Sequence, residues 1–132
     1  MINDRLDINT NIIYAENILS KKDSKVIGHI HLMLYDNKPQ SIPHLEYEIK
    51  DIEYHNKKIM SKLLPSFLKK CKKRGNTQII ALTYGDNIAS IKLLEKNNFV
   101  RFRQSGKLYT YITDLNHKKA KIEKTVNKFF KL

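Results

Sequence analysis

The segment Asp86–Phe99, with the sequence DNIASIKLLEKNNF, decides how the fold of this chain is interpreted. It predicts a short helix that is capped by its first residue, the Asp, and that ends at an Asn pair. The apolar run Thr77–Tyr84 before it predicts a buried strand, and a second strand is expected to begin at Phe99. Folding alone does not require Asn87 and Ser90 in the first turn of this helix, which makes both candidate functional residues.

Three strands are predicted in the first half of the chain. Segments 12–18 and 26–35 are expected to pair as a hairpin around the polar turn 20–24. Segment 44–50 alternates cleanly between two faces. One face carries Leu45, Tyr47 and Ile49, and the other carries His44, Glu46 and Glu48.

The strongest helical pattern lies between residues 59 and 71. Its apolar residues recur at helical spacing, with lysines on the opposite side; they are Ile59, Met60, Leu63, Leu64, Phe67, Leu68 and Cys71. An interior proline typically costs about 3 kcal/mol, so a kink is expected near Pro65. Gly75 is expected to end the helix in a left-handed conformation.

The last third of the chain predicts a hairpin and a helix. Segments 99–103 and 107–114 pair around the turn 104–106, and a basic amphipathic helix follows from about His117. Its apolar face, Ile122, Val126, Phe129 and Phe130, is expected to dock onto its own domain or onto a second subunit. The order of elements predicts one α/β domain over residues 1–132, with a mixed sheet and helices on both faces.

Composition narrows the class of protein. A chain of 132 residues is expected to form one domain, and it contains no run of 18 apolar residues that would span a membrane. The single cysteine and the absence of a basic-then-apolar leader pattern favour the cytoplasm. Residues 57–74 carry +8 and residues 116–132 carry +5 of the net charge of +12. These cations either complement helix ends and aid solubility, or attract a phosphate-bearing partner such as a nucleotide or RNA.

Three features in order suggest a family. They are the Glu-bearing strand 44–50, the loop Glu53–Met60 opening a long helix, and Asn87-x-x-Ser90 with Phe99 nine residues after the serine. Together they resemble the GNAT-type N-acetyltransferases, closest to the branch that acetylates ribosomal-protein N-termini. The resemblance runs from Val26 to Asp114, about two-thirds of the chain.

The resemblance implies acetyl-CoA as co-substrate, without a metal. It implies that the strands 44–50 and 77–84 splay apart and that the pantetheine arm lies in the gap. Free N–H groups at the start of the helix would hold the pyrophosphate. The implied cofactor-binding residues are Ile49, His55, Asn56, Lys57, Lys58, Ile59, Met60, Asn87 and Ser90. The ordinary alternatives are that Asn87 caps its helix and that Ser90 bonds back to it.

The sequence also departs from the family pattern. The phosphate loop of the family reads Gln/Arg-x-x-Gly-x-Gly/Ala, and this chain has His55, Lys58 and Met60 at those positions. A left-handed Lys58 would be strained by about 1–2 kcal/mol. The Gly that usually ends the second helix is Asn98, and Leu94 replaces a Tyr that serves as the acid in other branches. The two helices between the first two strands of the family are expected to be missing, since only ten residues precede Asn11.

The family reaction is direct attack of a neutral amine on the acetyl thioester. Glu46 or Glu48 would take the amine proton through a bridging water. Ser90 resembles the hydroxyl that protonates the departing thiolate. A protein N-terminus or a small primary amine is therefore the expected acceptor, and solvated strand carboxylates are the alternative for both Glu residues.

A non-catalytic module is the rival hypothesis. An acetyltransferase-like fold with an altered phosphate loop would use its two basic helices to bind RNA, the ribosome or a protein. His29 and His31 alternate on one strand, but no third ligand is placed at metal-site spacing. Tyr109 is expected to pack by default, or to line an acceptor pocket. The chain is expected to be a monomer or a homodimer.

Overall fold

The computed structural model describes residues 11–36, 38–55 and 58–129. The chain divides into two compact units, Met1–Ile59 and Met60–Leu132. Six strands and three α-helices follow one another in the predicted order, which confirms the α/β fold class. None of the described helices is both long and apolar enough to cross a bilayer.

The first unit contains three antiparallel strands, β1 (Asn11–Leu19), β2 (Val26–Leu34) and β3 (His44–Ile49), followed by the short 3-10 turn Ile52–Tyr54. The predicted hairpin of β1 and β2 is confirmed by their pairing. The pairing of β2 with β3 places Leu32 opposite Leu45. These two side chains and Ile30 are buried on one face of the strands.

The other face of these strands carries a cluster of polar side chains. The register of β2 and β3 places His31 opposite Glu46 and His29 opposite Glu48. Because side chains alternate along a strand, His44, Glu46 and Glu48 share this face, as the alternation in the sequence predicted. The two strands approach closely at Gly28, where an added Cβ would lie 2.1 Å from the carbonyl oxygen of Glu48. Only glycine fits there.

The long helix α1 (Ile59–Lys73) belongs to the second unit except for its first residue. Its buried residues are Leu64, Phe67, Leu68 and Cys71, so the predicted apolar stripe faces the core and the lysines remain outside. Pro65 lies inside this helix, and the kink expected there stays a prediction. Gly75 has φ +91°, which confirms the left-handed helix end.

The remaining elements are β4 (Gln78–Tyr84), α2 (Ile88–Lys96), β5 (Val100–Ser105), β6 (Leu108–Asp114) and α3 (Lys119–Phe129). Within this unit β6 pairs antiparallel with both β4 and β5. The predicted hairpin of the last two strands is therefore confirmed, with its strand boundaries shifted by one or two residues. The order β4–β6–β5 means that α2 carries the chain across β6 from one strand to the other.

The C-terminal helix α3 packs on this same unit. Ile122 and Val126 form a buried cluster with Phe102, against which Ile80 and Ile112 also pack. Docking onto the chain's own domain is thus confirmed. The predicted apolar face is wrong at Phe129, whose side chain is 67% exposed at the helix end, and Phe130 lies outside the described residues.

Candidate functional site

Glu46 is held by two side chains of the first unit. Its Oε1 lies 2.9 Å from Nε2 of His31, and its Oε2 accepts a hydrogen bond from the hydroxyl of Tyr35. His31 is buried, whereas the side chain of Glu46 remains 38% exposed. Glu48 is exposed, and no hydrogen bond or ion pair to it is present among the described residues. The two candidate proton acceptors therefore differ in how well each is positioned.

Two further imidazoles lie on the same polar face. The rings of His29 and His31 stack with their centroids 5.3 Å apart. The ring of Tyr35 meets His44 edge-on at 4.9 Å. Burial lowers the pKa of His44, and the negative charge of Glu46 opposes that shift. His44 therefore keeps its neutral form to lower pH than an exposed histidine does.

The loop after β3 is tied to the end of that strand. Nε2 of His55 lies 2.7 Å from the carbonyl oxygen of Ile49, so the imidazole donates a hydrogen bond to that carbonyl. Asn56 and Lys57, both implied cofactor contacts, lie outside the described residues. This hydrogen bond occupies one ring nitrogen of the imidazole, and the position of His55 beside a phosphate stays a prediction.

Lys58 has a left-handed backbone. Its φ is +56°, the conformation for which the family uses glycine, and its side chain is exposed. A lysine in this conformation carries strain of about 1–2 kcal/mol. Ile59 and Met60, both half-buried, then begin α1.

The start of α1 suits an anion. Its first turn contains no acidic residue, and the first N–H groups of a helix lack partners within the helix. The macrodipole adds a positive partial charge at that end. Lys62, in the same turn, is exposed.

Asn87, not Asp86, caps α2. Oδ1 of Asn87 accepts a hydrogen bond from the backbone N–H of Ser90 at 3.1 Å, and the carbonyl of Asn87 accepts one from Ile91. The expectation that the Asp would be the cap was therefore wrong by one residue, since either side chain can cap a helix. Capping fixes the side-chain amide of Asn87 and leaves its Nδ2 as a donor. The capping alternative for Asn87 is confirmed, and a cofactor contact through Nδ2 is compatible with it.

The far end of α2 reproduces the predicted helix end. Asn98 has φ +67°, and the N–H of Phe99 bonds to the carbonyl of Leu94 at 3.0 Å. The carbonyl of Asn98 also accepts a hydrogen bond from Oγ1 of Thr113. Leu94 and Phe99 are fully buried, so Leu94 is a packing residue.

Two features were not predicted from the sequence. One is the contact of His31 with Glu46, and the other is a cleft of about 550 Å³ within the second unit. Arg101 lies over the Tyr109 ring in this cleft, 4.5 Å from its centroid. An added Cβ at Gly85 would lie 2.6 Å from the Tyr109 hydroxyl, so glycine makes room for the ring. Tyr109 therefore packs, and it also lines a cleft.

No cluster of three or more metal-ligating side chains is present among the described residues. The nine implied cofactor residues fall in both units, and the gap expected between the strands that carry them stays a prediction.

Comparison with known proteins gives one family. The model of the acetyltransferase (GNAT) domain matches residues 4–100. No curated protein sequence matches the chain.

Solved structures are similar in fold. Ribosomal-protein-S5-alanine acetyltransferase from Vibrio fischeri is 19% identical with a TM-score of 0.64, over 77% of this chain and 61% of that one. PaiA N-acetyltransferase from Thermoplasma acidophilum, in complex with coenzyme A, is 23% identical with a TM-score of 0.60, over 79% and 61%. A chain of the NatC complex bound to Gag peptide and CoA is 18% identical with a TM-score of 0.62, over 76% and 70%. The chain thus spans about three-fifths of the first two structures, and likeness at this identity concerns the fold alone.

Proposed function

Because this chain belongs to the GNAT acetyltransferase family, we propose that it transfers an acetyl group from acetyl-CoA to a primary amine by direct attack. The observation that carries the proposal is the left-handed backbone of Lys58, at φ +56°. A lysine has no intrinsic reason to adopt this conformation, which typically costs about 1–2 kcal/mol. Glycine adopts this conformation readily, so the backbone of Lys58 supports the proposal that it occupies the glycine position of the family's phosphate loop.

The phosphates of coenzyme A are proposed to bind at the start of α1. Backbone N–H groups would donate to the pyrophosphate, which explains how the site tolerates a lysine where the family has glycine. Lys57, Lys58 and Lys62 would add positive charge. His55, Asn56, Ile59 and Met60 complete the proposed loop contacts.

The pantetheine arm is proposed to contact Ile49 and Asn87. The carbonyl of Ile49 already accepts a hydrogen bond from His55, so a pantetheine amide would either share that carbonyl or displace the imidazole. Nδ2 of Asn87 would donate to a pantetheine carbonyl, because the cap holds Oδ1 toward Ser90. Ser90 would protonate the departing thiolate, a role that Leu94 cannot take.

The chemistry favours an α-amine as acceptor. A lysine side chain with a pKa of about 10.4 is neutral only about once in 2,500 at pH 7, whereas an α-amine with a pKa near 8 is roughly 10% neutral. A carboxylate acting through water is a modest base. The acceptor is therefore proposed to be a protein N-terminus or another amine with a low pKa, and the enzyme would need only Glu46 or Glu48 to take its proton.

A second candidate function rests on the outer face of α1. Lys62, Lys69, Lys70 and Lys73 line a groove of about 460 Å³ together with Pro65 and Ser66. Such a lysine face would bind RNA or an acidic protein surface without any chemistry. In that case acetyl-CoA would not bind, and binding of RNA would weaken steeply with salt and survive Lys58→Gly.

Calorimetry with acetyl-CoA and three asparagine variants tests the proposed function. Asn87→Ser keeps a capping oxygen but removes the amide donor, so stability should change by less than about 0.5 kcal/mol. Affinity for acetyl-CoA should fall about fivefold, the equivalent of one hydrogen bond of roughly 1 kcal/mol. Asn87→Ala removes both functions and should lower affinity and stability together.

The matched control is Asn97→Ala. Asn97 lies at the opposite end of α2, where its Nδ2 donates to the carbonyl of Leu93 at 2.8 Å. Its loss should destabilise the helix without changing affinity for acetyl-CoA. Absence of any acetyl-CoA binding by the unaltered chain at millimolar concentration would refute the enzyme hypothesis, and tighter binding by Asn87→Ala would refute the role of that side chain.

A further inference from the structure

We infer that Glu46 is the carboxylate that takes the proton of the acceptor amine, and that His31 is the residue that positions it. The inference rests on the proposed function and goes beyond it, because the sequence leaves Glu46 and Glu48 as equal candidates. The geometry separates them. Each oxygen of Glu46 has a donor, Nε2 of His31 at 2.9 Å and the hydroxyl of Tyr35, whereas the exposed Glu48 has no described partner.

The backbone sets the contact between His31 and Glu46. The two residues are directly opposite in the β2–β3 register, so their side chains leave the strands on one face at close range. His31 is only 8% exposed, and a buried imidazole needs a hydrogen-bond partner. Removing either partner therefore disturbs the other. A buried donor limits the rotamers of the carboxylate more than a solvated one would, and this holds Glu46 in one orientation.

The carboxylate of Glu46 can still accept a further hydrogen bond or a proton. Two oxygens of an ionised carboxylate offer about four acceptor positions, and His31 and Tyr35 use two of them. The side chain is 38% exposed, so an amine or a bridging water can reach the remaining positions. Glu46 is thus both oriented and accessible, the two properties that a proton acceptor needs.

The proposed step moves two protons and one acetyl group. An ammonium group gives one proton to the Glu46 carboxylate, which becomes a neutral carboxylic acid, and the amine lone pair becomes free. The amine nitrogen forms a bond to the thioester carbonyl carbon, and the carbon–sulfur bond breaks with its electron pair on sulfur. The nitrogen loses its second proton as the thiolate gains one, and Glu46 returns its own proton to water.

The test compares six variants of the full chain with acetyl-CoA and two probe amines, an alanine-terminated hexapeptide and propylamine. Glu46→Gln should lower kcat/KM by about 100-fold, the lower range for loss of a positioned base, while the Kd of acetyl-CoA changes less than twofold. Glu48→Gln should lower kcat/KM far less. His31→Leu should lower kcat about tenfold, and His31→Gln, which keeps an N–H donor, should recover most of that loss.

A loss of kcat in His31→Leu that leaves the Kd of acetyl-CoA unchanged and is recovered in His31→Gln distinguishes positioning from a general effect on stability. His29→Gln is the matched control and should leave kcat unchanged. Tyr35→Phe, at an exposed position, covers the case in which His31→Leu fails to fold, and it should lower kcat severalfold.

The outcomes separate the two proposals. Equal losses in Glu46→Gln and Glu48→Gln, or full activity in both His31→Leu and Tyr35→Phe, would overturn the assignment of Glu46 and His31. A chain that binds acetyl-CoA but acetylates neither probe would also overturn it and leave cofactor binding intact. A chain that does not bind acetyl-CoA would overturn the proposed function itself.

Discussion

Replacing Lys58 with glycine should stabilise the protein. The lysine has φ +56°, and relief of that strain returns about 1–2 kcal/mol. Part of this gain is lost, because glycine increases the conformational entropy of the unfolded chain and so lowers stability by about 0.4–1 kcal/mol. The expected net gain is about 0.5–1 kcal/mol. For a chain of 132 residues, an unfolding entropy of about 2.1 cal/mol/K per residue converts this to a rise in Tm of about 2–4 °C.

Thermal melting and urea denaturation of matched variants measure this effect. Lys58→Ala removes the same charge but keeps a Cβ, so it should not gain stability. Gly106→Ala is the reverse experiment, because Gly106 has φ +58° and an added Cβ meets nothing within 4 Å. It should lower stability by about 0.5–1 kcal/mol through strain alone. Affinity for acetyl-CoA should be equal or higher in Lys58→Gly. Equal stability of Lys58→Gly and Lys58→Ala would refute the reasoning.

Three further predictions concern packing and protonation. Gly28→Ala should destabilise by at least about 2 kcal/mol, because the new Cβ would lie 2.1 Å from a backbone oxygen; an unchanged urea midpoint would contradict this. Val126→Ala should cost about 2 kcal/mol at a position that is 2% exposed, whereas Phe129→Ser, at 67% exposure, should stay within about 0.5 kcal/mol by the same assay. Burial lowers the pKa of folded His44, so the unfolded chain binds the proton first and stability should fall as pH drops below about 6.5. His44→Gln should reduce this fall between pH 7 and 5, and an equal fall in both proteins would exclude His44 as its cause.

Local chemistry made much of the fold predictable. Alternation along 44–50 placed Glu46 and Glu48 on one face because the period of a strand is two. Gly75 and Asn98 were expected to be left-handed because those residue types tolerate that conformation at helix ends, and both are. These predictions need only neighbours in the sequence.

The wrong or missing predictions concern features for which several neighbouring residues are equally suitable, or features that depend on how two strands pair. Asp86 and Asn87 are equally good caps in isolation, and only the structure selects Asn87. Phe129 fits the apolar spacing of α3, but the helix ends there and leaves the ring exposed. The contact of His31 with Glu46 depends on strand register, which no single strand encodes.

The burial of Cys71 has a practical consequence for experiments. It is the only thiol in the sequence, and its side chain is 0% exposed. While the chain is folded, a chromogenic thiol reagent would therefore react with released coenzyme A and not with the protein. In the absence of cofactor, the same reagent would react with Cys71 only when α1 opens. The rate of Cys71 labelling would therefore measure how often α1 opens by local unfolding.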